Sequence, residues 1–198
     1  MPITSILPTM PCIILLFASL SFSCDGITNN GNSTSVSLLP GKDTTNLLTN
    51  RITLDADGDG IPETIEIIMV KEAIGNPMED GESAEYGIRT ENDKIPFLTL
   101  GCCEGYLLSE GDLNKNGGAE LSLIQAPLNG CTYTLVCYTY DGSAWKMLMD
   151  PILIPTACDG LSKKALEDRI ILEGGSVYYY ENDPNSETGE LLRKQAVF

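Results

Sequence analysis

No histidine occurs anywhere in the chain. Its absence excludes the Ser-His-Asp and Cys-His nucleophile systems and the usual histidine-rich zinc sites. Basic residues are scarce, with 12 Lys and Arg against 28 Asp and Glu and a formal charge of −16. Nucleic acid and anionic lipid both require Lys/Arg patches, so neither is expected as a main partner. Metal cations and basic proteins suit such a surface better. The cysteines contain no CxxC pair, and the adjacent Cys102 and Cys103 are poorly placed for joint tetrahedral ligation, which argues against a four-cysteine zinc site. A glycosidase needs only two carboxylates, and so stays open as an alternative, although nothing in the pattern selects a pair. Apolar residues make up 42% of the 198 positions, enough for a sizeable core.

Residues 12–23 read CIILLFASLSFS and are followed by Cys24. A run of this length is too short to span a bilayer but fits the apolar region of a secretory signal. LSFSC, residues 20–24, resembles the lipobox of bacterial lipoproteins. The resemblance implies a signal peptide over residues 1–23, lipidation of Cys24 and attachment to the outer membrane through that lipid. An ordinary cleaved signal peptide is the alternative. Residues 24–50 are rich in Asn, Ser, Thr and Gly, a composition that buries too little surface to offset its entropy. They are expected to form a flexible tether, with the folded domain over residues 51–198.

Strand periodicity dominates that domain. TIEIIMV places Ile65, Ile67 and Met69 on one face. CTYTLVCYTY, then DG, then SAWKMLM predicts a hairpin, and RIILEGGSVYYYEN repeats the pattern around Gly174 and Gly175. Only GLSKKALEDR suggests a helical turn. The expectation is an all-β, antiparallel domain of about eight to twelve strands. Tyr and Trp at strand spacing are read as sheet packing with wet polar tips, ahead of a sugar-stacking platform. In an exported chain the five cysteines after the tether form at most two disulfides and leave one thiol over.

Residues 55–63, DADGDGIPE, crowd four carboxylates into nine positions. Residues 112–120, DLNKNGGAE, repeat the spacing 57 residues later. Oxygen-bearing side chains stand at positions 1, 3, 5 and 9: Asp55, Asp57, Asp59 and Glu63, then Asp112, Asn114, Asn116 and Glu120. Position 6 is glycine in both, which permits a sharp turn. Position 7 can add a backbone carbonyl, from Ile61 or Gly118. Calcium takes six to eight oxygens at about 2.3–2.6 Å, and such a set suits it. An EF-hand is excluded by the strand-like flanks and by Leu123 at position 12 of the second loop.

The pattern D-x-[DN]-x-[DN]-G-x-x-E between strands resembles the FG-GAP/VCBS-type repeats of integrin alpha-subunit propellers and bacterial surface proteins. The family implies calcium held in β-hairpin loops and a binding or adhesion role at the cell surface; the chain itself is read as a non-enzymatic module with a glycan or protein partner. Residues 51–198 suffice for two or three propeller-like blades or a β-sandwich, fewer than a closed propeller needs. After position 9 the apolar residues are Ile65 and Ile67 in one copy but Leu121 and Leu123 in the other. Such a one-residue slip exchanges strand faces, and it predicts non-equivalent blades. If Cys24 carries the anchor, Cys24→Ala should move the protein from the membrane pellet to the soluble fraction, and a variant that still pellets with membranes would sink the lipoprotein reading.

Overall fold

A computed structural model describes residues 49–198, apart from Glu167. The signal peptide, Cys24 and residues 24–48 of the expected tether lie outside the described residues. Thr49 and Asn50 are already tied to the sheets, their carbonyls accepting from the Leu107 and Ile67 amides at 2.7 and 2.8 Å.

The first sheet is an antiparallel meander of β1 (Arg51–Leu54), β2 (Glu63–Lys71), β3 (Glu85–Thr90) and β4 (Leu98–Gly101). The second repeats that order with β5 (Gly105–Gly111), β6 (Glu120–Gln125), β7 (Thr132–Tyr140) and β8 (Trp145–Met147). A further strand, β9 (Ile152–Pro155), pairs with the start of β7 while β8 pairs with its end. One helical turn, α1 (Lys163–Leu166), leads to a third sheet of β10 (Ile170–Glu173), β11 (Ser176–Asn182) and β12 (Leu191–Gln195). The domain is thus all-β and antiparallel, with no closed barrel, as its alternation predicts. Two residues, Gly174 and Gly175, join β10 to β11 with φ of +58° and +85°. Both angles suit a tight hairpin turn and disfavour any side chain.

Two apolar layers separate the sheets. Leu54, Ile65, Ile67 and Ile88 of the first sheet meet Leu107, Leu121, Leu123 and Tyr140 of the second. Leu108, Ile124, Leu135 and Cys137 on the other face of the second sheet meet Ile170, Val177 and Tyr179 of the third. The middle sheet is therefore covered on both faces, and β6 is buried at every position from Glu120 to Ile124.

That burial explains the slip between the copies. Ile67 stands four residues after Glu63, and Ile124 stands four after Glu120. Each belongs to the layer facing the following sheet. Leu121 and Leu123 fill the opposite face of β6, which packs on the first sheet. The copies thus keep one register and occupy equivalent sheets, correcting the expected non-equivalence. Met69 is a second correction: it is 52% exposed, where β2 runs past the core and a register shift follows before Lys71.

Tyr140 and Trp145 pack in the layer beside the first sheet, but their polar tips bond backbone carbonyls where wet tips were expected. Tyr140 is buried and donates its hydroxyl to the Lys94 carbonyl at 3.0 Å, and Trp145 Nε1 donates to the Pro96 carbonyl at 3.0 Å. Disulfides join Cys102 to Cys103 and Cys131 to Cys158, while Cys137 is buried in the layer beside the third sheet. Truncation in the doubly covered strand should be costly. Ile124→Ala should lose about 2–5 kcal/mol in denaturant unfolding, whereas Met69→Ala should stay within about 0.5 kcal/mol of the parent.

Candidate metal centre

Residues 55–63 connect β1 to β2, and Glu63 is both the last residue of the loop and the first of the strand, paired with Leu54. The carboxylates of the loop accept its own amides. Asp55 Oδ1 and Oδ2 accept from Gly58 and Gly60, each at 2.8 Å. Asp57 Oδ1 accepts from the Asp59 amide at 3.2 Å, and Asp59 Oδ1 from the Ile61 amide at 2.8 Å. Glu63 is buried, and its Oε2 accepts from the Ala56 amide at 2.9 Å. One oxygen from each of Asp55, Asp57, Asp59 and Glu63 lies within 4.8 Å of the others. This cluster can hold a metal ion. The Ile61 side chain points to solvent, 68% exposed, so only its carbonyl is suited to a ligand role.

The second loop copies four of these five bonds; the exception is Asp112 Oδ1, which accepts from the Asn116 amide at 3.1 Å where Asp55 Oδ1 accepts from Gly58. Asp112 Oδ2 accepts from Gly117 at 3.1 Å, as Asp55 does from Gly60. Asn114 Oδ1 accepts from the Asn116 amide at 2.9 Å, and Asn116 Oδ1 from the Gly118 amide at 2.8 Å. Glu120 Oε2 accepts from the Leu113 amide at 2.5 Å. The backbone at position 4 is left-handed in both loops, with φ of +74° at Gly58 and +63° at Lys115. The sequence register is thus matched by hydrogen-bond register.

Two neighbours escaped the sequence reading. Asn92 follows β3 and donates its Nδ2 to Asp57 Oδ2 at 2.9 Å and to Glu63 Oε1 at 3.1 Å. Thr139, near the end of β7, accepts from Asn114 Nδ2 at 2.9 Å and Asn116 Nδ2 at 3.2 Å. Both arrive through the next hairpin, because β3 pairs β2 and β7 pairs β6. A hairpin drawn out to its partner residue would have found them; no local motif does.

The loops differ at the ninth carboxylate. Glu63 Oε1 is held by Asn92, but Glu120 Oε1 is buried without a hydrogen-bond partner. Burial raises the Glu120 pKa to about 7, against the Leu113 amide, the Thr139 hydroxyl and the Asn114 amide, which lower it; Asp112 adds a smaller push upward. Thr139 acts from nearby without hydrogen-bonding Oε1. Among the described residues, no Lys or Arg forms an ion pair with Asp55, Asp57, Asp59, Glu63, Asp112 or Glu120.

No family model, curated protein or solved structure matches this chain.

The raised Glu120 pKa has a thermodynamic sign. The folded, cation-free chain keeps a proton that the unfolded chain releases above about pH 4.3. The contribution of this group to stability therefore falls as pH rises from there to about 7 and is level above that. Melting curves in chelator should show this decline, and Glu120→Gln should be flatter than the parent across the same window. Equal slopes would mean that this carboxyl does not titrate upward.

Proposed function

We propose that the protein is a non-enzymatic calcium-binding module of the bacterial cell envelope, anchored through Cys24 and presenting its β-domain for binding or adhesion. The observation that carries the metal reading is the convergence of Asp55, Asp57, Asp59 and Glu63 oxygens within 4.8 Å, with which no Lys or Arg among the described residues forms an ion pair. The donors are carboxylates and carbonyls, hard oxygen ligands that suit calcium and magnesium and are poor for softer metals. A flexible loop offering carboxylates at positions 1, 3, 5 and 9 and a carbonyl at position 7 suits the larger coordination shell of calcium. Asp112, Asn114, Asn116, the Gly118 carbonyl and Glu120 form the second such set. The loops' resemblance to FG-GAP/VCBS-type repeats supports the same ion and the surface role, and LSFSC supports the anchor.

The partner on this reading is a glycan or a protein met outside the membrane. The glycosidase alternative needs two acids about 5–9 Å apart in one cleft. Three surface cavities of about 370–380 Å³ are each lined by one carboxylate, Glu104, Glu181 or Asp150, and none favours it.

The loops should bind unequally. The first offers four carboxylates, the second only Asp112 and Glu120 with two neutral amides, and affinity follows ligand charge and rigidity. Calcium titration calorimetry should give two events. Asp57→Ala should remove the tighter and Asn114→Ala the weaker. Calcium at one hundred times its dissociation constant should add about 2.7 kcal/mol, so chelation should lower the melting temperature by several degrees. No heat and a melting curve indifferent to chelator would return both loops to acidic turns.

A further inference from the structure

The two loops touch through their backbones. The Ala119 amide donates to the Asp55 carbonyl at 2.7 Å. A Cβ placed on Gly118 would stand 2.3 Å from the Ala56 carbonyl oxygen, and one on Gly58 would stand 2.9 Å from the Gly117 carbonyl carbon. Gly118 does not have the left-handed φ of Gly117 and Gly58. It is glycine for want of room. This explains why position 7 is Gly118 in the second loop and the exposed Ile61 in the first: only the second loop has another chain segment lying over that position.

The contact falls on ligand-bearing peptides on both sides. Asp55 supplies the first carboxylate of one set. Ala119 sits between Gly118 and Glu120, two ligand positions of the other. The second loop also shows a vacancy of bonding: Glu120 Oε1 is buried, has no hydrogen-bond partner, and belongs to a carboxylate close enough to Asp112 to feel its charge.

We propose that the two loops form one coupled two-cation unit, in which a cation in the loop at residues 55–63 sets the backbone on which the loop at residues 112–120 binds its own. This rests on the calcium reading above. Without an ion, four carboxylates within 4.8 Å push the first loop apart. That strain is carried to the Asp55 and Ala56 carbonyls, against which Gly118 and Ala119 rest. A cation fixes Asp55 and hence the shelf under the second set. Repulsion between two bound cations opposes the coupling, but it acts through solvent with a screening length of about 8 Å at physiological salt. The hydrogen bond and the glycine packing act at contact. Coupling between such sites is typically about 5–150-fold, and about tenfold is expected here.

The signs separate the two effects. In Asp57→Ala the first loop loses its cation yet keeps more net negative charge than the filled parent loop. Charge alone would then tighten the second site, whereas the shared backbone loosens it. Calcium calorimetry on the whole chain reads the difference. The parent should show two events, and Glu120→Gln should keep the first event unchanged while losing the second, which assigns them. Asp57→Ala, with Asp59→Ala as a parallel variant, should lose the first event and weaken the second by about tenfold. A second event of unchanged or tighter affinity in both variants would overturn the coupling and leave the calcium reading standing. A parent that gives no heat at all would overturn both.

Discussion

The hydrogen bond from the second-position amide to the ninth-position glutamate is what the rest of the domain depends on. Ala56 donates to Glu63 and Leu113 to Glu120. Each glutamate is also the first residue of a strand, paired with Leu54 or Gly111. One side chain therefore closes a loop and fixes the register of a hairpin. A slip of one residue would send the carboxylate to the wrong face and the loop amide would lose its acceptor. Burying the carboxylate is costly unless its oxygens find partners. The two loops meet that requirement differently: Asn92 satisfies the first, and the second is left one bond short.

The hairpins so fixed decide how the sheets stack. Each begins a four-stranded meander, and in each the residue four after the glutamate, Ile67 or Ile124, looks toward the next sheet along the chain. Sheets laid down this way follow one another in the same sense, each covering the face its predecessor leaves open. The middle one must be apolar on both faces, which is why β6 loses the alternation still visible in β2. The third sheet is the last among the described residues. Its last strand, β12, is exposed along its whole length and carries Arg193 and Lys194, charges that discourage pairing with a further edge. Arg193 lies over the Tyr178 ring at 3.7 Å, where its stem also covers apolar surface.

What the sequence made legible was whatever depends on spacing along the chain. Alternation gave the strands, Gly174-Gly175 gave its hairpin, and the D-x-[DN]-x-[DN]-G-x-x-E spacing gave two loops that share all but one of their internal hydrogen bonds. What stayed hidden depends on residues distant in sequence. Asn92 reaches Asp57 across 35 residues and Thr139 reaches Asn114 across 25. Met69 was misread because period two says which face a residue takes but not where the covering sheet stops. The slip at Leu121 and Leu123 was misread because one face was assumed to be wet. Gly118 carried no signal either, since a glycine needed for space and a glycine needed for φ look identical in a string of letters.

The distribution of charge completes the physical picture. The ion pairs among the described residues lie on strand faces and hairpin ends: Arg89 and Arg51 beside Glu66, Lys71 beside Glu82, Lys146 beside Asp141, Arg193 beside Glu173 and Lys194 beside Glu181. Such exposed pairs contribute only about 0–1 kcal/mol each. The loops, where opposite charge would matter most, are lined instead by N–H groups, by the amide of Asn92 and by the Thr139 hydroxyl. These orient carboxylate oxygens without neutralising them. A lysine could neutralise one or two acids, but its ammonium cannot sit at the centre of four. A small doubly charged ion can. Each attraction then carries twice the charge product of any repulsion between two carboxylates and acts over a shorter distance. The first loop is thus held in a shape whose charge an ion from outside the chain can neutralise, and on the coupling proposed above the backbone contact at Ala119 carries that dependence into the second.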